Sequence, residues 1–173
     1  SECAGRPACW RFHFEQSNIR FTDGFCGDKD FETKSLSDFI VSKNNGEAAY
    51  QLAVVVDDAA QGVTEVLRGD DLLDSAARQI AIYQALGLDV PTFKHVPLVA
   101  GEDGKRLAKR HGDTSLSYFK QHNVSPQKIV GWLAYASGLT SDLHECMPQE
   151  LLGGFDLRNL DGSPLVWRGG FTS

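Results

Sequence analysis

Three clusters of side chains in this sequence have the composition of anion sites or acid–base sites. The densest is Lys105-Arg106-Leu107-Ala108-Lys109-Arg110-His111-Gly112, where Lys105, Arg106, Lys109 and Arg110 put four cations in six residues between Gly104 and Gly112. A basic loop with bendable ends can fold over a polyphosphate and neutralise charge that develops during phosphoryl or adenylyl transfer. A charge run of this length also serves simply as a solvated face. No G-x-x-x-x-G-K-[ST] is present, so it is not a Walker-type loop. The second cluster is Arg68-Gly69-Asp70-Asp71. A guanidinium at a strand end followed by glycine can grip a carboxylate or phosphate through two parallel hydrogen bonds, or it can pair with a nearby aspartate. The third, Asp57-Asp58, is a poor acid–base pair if it lies in a strand, because adjacent side chains there point to opposite faces; a solvated turn is the alternative. The five histidines, His13, His95, His111, His122 and His144, are scattered and give a hydrolase triad little support.

The elements that must position these groups differ along the chain. Residues 1–48 hold short alternating apolar runs (Trp10-Arg11-Phe12-His13-Phe14, Ile19-Arg20-Phe21, Phe39-Ile40-Val41) punctuated by Asp23-Gly24, Gly27-Asp28 and Asn44-Asn45-Gly46, which predicts short strands and hairpins. Residues 50–56, Tyr50-Gln51-Leu52-Ala53-Val54-Val55-Val56, form a nearly continuous β-branched run that reads as a strand buried on both faces. A second strand is expected over Gly62–Arg68. A helix then carries Leu72, Leu73, Ala76, Ile80, Tyr83 and Leu86 at helical spacing, begins at Asp70 or Asp71 and closes at Gly87. Phe93–Val99 reads as a third strand that Pro97 confines to an edge or an end. Such an order implies an open α/β sheet with a crossover helix, whose ligands bind beyond the carboxyl ends of the strands. Two short helices are expected over 114–122 and 126–137, the second capped by Ser125 with Pro126 in its first turn.

Composition narrows the function classes. Among 173 residues, 17 Lys and Arg stand against 23 Asp and Glu, a formal charge of −6. That balance argues against a protein whose whole surface grips nucleic acid and leaves room for a local basic patch. No apolar run reaches the roughly 18–20 residues of a membrane span, so no membrane partner is expected. Cys3, Cys9, Cys26 and Cys146 contain no C-x-x-C pair and read as reduced thiols, with no metal ligands assigned.

Taken together, Ala49–Asp58, Gln61–Leu73, Arg78-Gln79-Ile80, Tyr83–Gly87, Phe93–Val99 and Arg106–Gly112 resemble, in order, the second half of the catalytic domain of glutamyl-tRNA synthetases. Val63-Thr64-Glu65-Val66 and the Arg-Leu-Ala-Lys-Arg form of the loop resemble the truncated branch of that family, the glutamyl-Q tRNA(Asp) synthetases. The resemblance implies an α/β fold: a β-rich insertion-type segment over 1–48, half of a class I Rossmann-like domain with a KMSKS-like loop over 49–113, and a helical segment over 114–173. It implies Tyr50 and Arg68 as glutamate ligands, Arg106, Leu107, Ala108, Lys109 and Arg110 as ATP ligands, and Lys109 as the catalytic lysine. The implied reaction activates glutamate with ATP and Mg and transfers it to queuosine in the anticodon of tRNA(Asp), in the cytoplasm. Two loop positions depart from the family pattern, Ala108 for a serine and Arg106 for the first lysine.

The family's HIGH signature, its remaining glutamate ligands and its zinc site belong to a half that does not occur in these residues. The chain by itself is therefore expected to have little or no activation activity, and its exposed half-sheet is expected to favour self-association. The rival readings are a fragment of a glutamyl-tRNA synthetase that charges tRNA(Glu), and a non-catalytic interaction module.

Overall fold

The computed structural model describes residues 8–108, 114–169 and 171. They form two compact units that meet in sequence at Val96 and Pro97. The first unit begins with strands β1 (Trp10–Phe12), β2 (Asn18–Asp23) and β3 (Gly27–Glu32), a single helical turn α1 (Thr33–Leu36) and strand β4 (Phe39–Ser42). Strands β1 and β4 pair antiparallel, as do β2 and β3 with Asn18 opposite Glu32 and Asp23 opposite Gly27. Alternation sorts these hairpins: Ile19 is buried, Phe21 stacks on Phe31, and Arg20 and Asn18 bind Asp30 on the wet face.

Residues 50–56 are not a strand. They open helix α2 (Tyr50–Gln61), after which the chain continues into strand β5 (Glu65–Gly69), a tight turn over Asp70–Leu72, helix α3 (Leu73–Leu86) and strand β6 (Thr92–Val96). Leu52, Val55 and Ala59 recur at helical spacing, and burial of Val55 against α3 outweighs the small helix penalty of three consecutive valines. Gly62 ends the helix rather than starting the next strand: at φ +70° its N–H reaches Ala59 O while Val63 N–H reaches Asp58 O. Gly87 closes α3 in the same way, as its position suggests.

Strands β5 and β6 run parallel with Arg68 opposite His95, and α3 crosses between them. The unit is thus mixed α/β with a β-α-β crossover, as expected of the fold class. Helix α3 is buried nearly all round at its centre, from Ala76 to Tyr83, because α2 packs on one side and β2 on another. Two glutamines fix α2 to α3: buried Gln79 donates to Gln51 Oε1 at 2.8 Å, and Gln51 donates to Ser75 Oγ at 3.1 Å.

The single strand expected over Phe93–Val99 is broken. Strand β6 stops at Val96, and Pro97, which has no N–H to offer a ladder, separates it from β7 (Val99–Ala100) in the second unit. Here β7 pairs parallel with β8 (Leu165–Val166), and Ala100 bridges Arg106 across a turn. Helices α4 (Leu116–Gln121), α5 (Pro126–Ala136) and α6 (Pro148–Leu151) complete the unit. Ser125 caps α5 as expected, its Oγ accepting from Lys128 N–H, with Pro126 in the first turn. Phe119, Val124 and Trp167 form the core, with Leu107, Trp132 and Phe171 packed against them. No helix among the described residues is long and apolar enough to cross a membrane.

Candidate active site

Arg68 is the best-defined candidate, and three elements hold it. It sits one residue from the end of β5, half-buried, opposite His95 on β6. Its Nε donates to His95 Nε2 at 3.0 Å, its Nη2 donates to Leu72 O at 3.3 Å, and its guanidinium lies 5.1 Å above the Phe93 ring. The opposite nitrogen of His95 lies 2.6 Å from Asp23 Oδ2, and both side chains are inaccessible to solvent. An arginine Nε–H can only donate, so Nε2 of His95 accepts and Nδ1 carries the hydrogen given to Asp23.

Asp23 owes its place to the β2–β3 hairpin. Its Oδ1 accepts from Phe25 N–H and Cys26 N–H in the turn and from His95 N–H across to β6. Burial alone would raise this carboxyl, yet hydrogen bonds from Cys26, the His95 ring and backbone, and Phe25 together hold it below its usual value. Gly24 N–H bonds to Phe93 O and Cys26 Sγ donates to His95 O, so the hairpin tip is fixed to the very strand it buttresses.

Tyr50 is the first residue of α2 and its ring is exposed. Burial lowers the Arg68 pKa, while Tyr50, Asp58, Asp23 and Tyr83 act against that shift. Tyr50 and Arg68, far apart in sequence, therefore share one neighbourhood. Asp58 joins them from two helical turns further along α2, while Asp57 is exposed; the adjacent carboxylates lie on a helix, not in a turn. Tyr83, almost completely buried, has its hydroxyl pushed up first by burial and then by Asp58, with Arg68 opposing.

The basic loop belongs to the second unit. Its first half is a turn in which Gly101 N–H bonds to Lys105 O, Lys105 N–H to Asp103, and Leu107 N–H to Val99 O at 2.8 Å. Lys105 and Arg106 are exposed, Leu107 packs into the aromatic core, and Ala108 is half-buried. Lys109, Arg110 and His111 lie outside the described residues. Cys9, Cys26 and Cys146 are free, and no group of three His, Cys, Asp or Glu among the described residues is placed to hold a metal ion. The described residues thus do not fit a zinc site.

Over residues 1–159 the chain matches the family described as tRNA synthetases class I (E and Q), catalytic domain. The chain belongs to that family. It is 47% identical over 164 residues to the glutamyl-Q tRNA(Asp) synthetase of Symbiobacterium thermophilum, covering 95% of this chain and 51% of that protein. To the glutamyl-Q tRNA(Asp) synthetase of Rhodopirellula baltica it is 43% identical, over 90% of this chain and 49% of that one. The glutamate–tRNA ligase 1 of Helicobacter pylori strain HPAG1 is 38% identical over 84% of this chain and 32% of its own length. Among solved structures, a glutamate tRNA ligase of Elizabethkingia meningosepticum in complex with its amino acid aligns over 90% of this chain and 35% of its own, with TM-score 0.77 and 25% identity. This class I (E and Q) chain spans about half the length of the glutamyl-Q tRNA(Asp) synthetases it matches.

Sequence reasoning within that family names Arg68 and Tyr50 as glutamate ligands and does not anticipate the residues that hold Arg68, His95 and Asp23. A signal is present. His95 is a polar side chain two residues from Phe93, on the same face of the strand, and a parallel crossover would set it beside Arg68. Asp23 is hidden in an Asp-Gly pair that explains itself as a hairpin turn.

Proposed function

We propose that this chain supplies the carboxylate-binding and phosphate-neutralising part of an enzyme that activates glutamate with ATP and transfers it to queuosine in the anticodon of tRNA(Asp). The observation that carries the reading is Arg68, half-buried at the end of a parallel strand, with its plane fixed by His95 and Leu72 and its Nη1 group making no hydrogen bond among the described residues. Nη1 and the second N–H of Nη2 together form a ready fork for a carboxylate. Tyr50, exposed and near enough to act on the charge of Arg68, gives a second contact in this reading. The 47% and 43% identity to glutamyl-Q tRNA(Asp) synthetases favours queuosine-bearing tRNA(Asp) as acceptor over tRNA(Glu). Family membership supports ATP as the activating nucleotide, taken with Mg.

In this reading a glutamate carboxylate oxygen attacks the α-phosphorus of ATP in line with the departing pyrophosphate. The new bond is the acyl–phosphate bond of glutamyl-adenylate, and the bond broken is that between the α-phosphorus and the β-phosphate oxygen. Arg68 and Tyr50 hold the amino acid, which removes orientational freedom from the attack. Arg106, Lys109 and Arg110 neutralise charge on the phosphates as it shifts to the leaving group, with Leu107 anchoring the loop through the aromatic core and Ala108 passing alongside. A hydroxyl of the cyclopentenediol of queuosine then attacks the acyl carbon, its proton is lost and AMP leaves.

The test uses two proteins, the chain itself and the chain joined to the part of the Symbiobacterium thermophilum relative that it does not match. The joined protein is expected to catalyse glutamate-dependent ATP–pyrophosphate exchange and to charge queuosine-containing tRNA(Asp), while the chain alone exchanges little. Preferential charging of tRNA(Glu) would overturn the acceptor, and exchange that does not depend on glutamate would overturn the amino acid. Light scattering of the chain alone tests the self-association expected of an open two-stranded edge at β5 and β6; a monomer at high concentration would remove it.

A further inference from the structure

Resting on the reading of Arg68 as a glutamate ligand, we infer that His95 and Asp23 are positioning residues that preset the Arg68 guanidinium before substrate arrives. A guanidinium is planar and its five N–H groups are rigidly arrayed. Two contacts in that plane therefore fix where the remaining donors aim. Here Nε is taken by His95 Nε2 at 3.0 Å and Nη2 by Leu72 O at 3.3 Å, with Cζ over the Phe93 ring, 5.1 Å from its centroid. What is left is Nη1, which makes no hydrogen bond among the described residues, and the second N–H of Nη2 next to it.

The choice of acceptor matters. A carboxylate opposite Nε would form an ion pair and compete with a substrate carboxylate for the same charge. His95 accepts through a nitrogen and contributes no negative charge at the contact. The carboxylate of the chain, Asp23, is set one ring further back, 2.6 Å from Nδ1, and is saturated by three backbone N–H groups. The arrangement orients the arginine and keeps its charge available to the ligand. Both His95 and Asp23 are buried, so water does not compete for these hydrogen bonds.

Two substitutions separate this role from mere packing. In His95→Asn the amide nitrogen occupies the place of Nδ1 and keeps the bond to Asp23, while no acceptor reaches Arg68. In His95→Gln the amide oxygen reaches the place of Nε2 and keeps the bond to Arg68, while the donor to Asp23 is disturbed. In the chain itself, solvent exchange of the Arg68 Nε–H by NMR is expected to be slow for wild type and His95→Gln and fast for His95→Asn. In the joined protein, His95→Asn is expected to raise the glutamate KM about tenfold with kcat and the ATP KM nearly unchanged, and His95→Gln to stay within about twofold of wild type. Fast Nε–H exchange in wild type would overturn the arrangement. So would a glutamate KM that tracks the stability loss of the two variants rather than the presence of the acceptor. Protected Nε–H in a folded joined protein that does not use glutamate would instead overturn the function proposed above, and with it the ligand named here.

Discussion

Arg68 and the basic loop are both cationic, and the chain builds them in opposite ways. Arg68 is half-buried, with its plane fixed by a ring, a carbonyl and an aromatic face, and its support runs inward to a carboxylate fully sealed from solvent. The loop displays Lys105 and Arg106 at the surface of a turn held by backbone hydrogen bonds and by one apolar anchor, Leu107. The contrast matches the two tasks proposed for these regions. Selecting one carboxylate requires donors whose directions are set in advance, because misdirected or unpaired buried donors are costly. Neutralising charge that moves along a polyphosphate during reaction requires several cations near its path, with less demand on the direction of any one.

The sharpest way to break this comparison is to exchange the losses. Lys109→Ala is expected to lower kcat of pyrophosphate exchange in the joined protein by about 10²–10³, with the glutamate KM little changed. Arg68→Lys keeps the charge and loses the planar fork, so it is expected to raise the glutamate KM by up to about 10² with a smaller effect on kcat. Steady-state kinetics with glutamate and ATP varied separately decides the matter. Arg68→Lys acting mainly on kcat, or Lys109→Ala mainly on the glutamate KM, would mean that the two regions do not divide the work.

A smaller effect comes from the buried end of the arginine's support. The folded-state pKa of Asp23 is depressed, so the folded chain binds fewer protons than the unfolded chain wherever the unfolded carboxyl still titrates. Its contribution to stability is therefore present above the unfolded value, roughly 3.9, and is lost as pH falls through the lower folded value. Asp23→Asn removes the charge and sets an amide N–H₂ against donors that all point inward. It is expected to destabilise the first unit by about 3 kcal/mol at neutral pH. Urea unfolding at neutral pH and at successively lower pH should show the gap narrowing once the wild-type carboxyl protonates. A gap that does not change with pH would show that the carboxylate charge contributes nothing to holding the hairpin on β6.

The parts of the molecule legible in the sequence are those governed by local chemistry. Ser125-Pro126 announces the start of α5 and Gly87 the end of α3, because capping needs a particular side chain or backbone freedom at one place. Arg68 at a strand end before glycine is legible for the same reason. The run of residues 50–56 misleads, because β-branched composition outweighs a helical spacing of Leu52, Val55 and Ala59 that only the docking of α2 on α3 makes decisive. The break at Pro97 is half visible: the residue restricts any strand that contains it, but nothing local marks the end of a compact unit there. His95 and Asp23 are hidden because they meet across 72 residues, and nothing within either local stretch requires the other.

The loop offers the finest adjustment of the comparison, at Ala108. The general family pattern has serine at that place, and a hydroxyl would add one neutral hydrogen bond to ATP without altering the loop's charge. Leu107 on one side is anchored both by its N–H on Val99 O and by its side chain in the aromatic core, so the backbone path into position 108 should survive the change. A neutral hydrogen bond exchanged with water is worth about 0.5–1.5 kcal/mol at most, whereas the loop's cations act on full charges. Ala108→Ser in the joined protein is accordingly expected to lower the ATP KM by no more than about tenfold and to leave the glutamate KM where it was. A larger gain, or any gain in kcat comparable to the loss from Lys109→Ala, would show that the loop works by directed hydrogen bonds after all. The difference between it and the Arg68 site would then be one of degree.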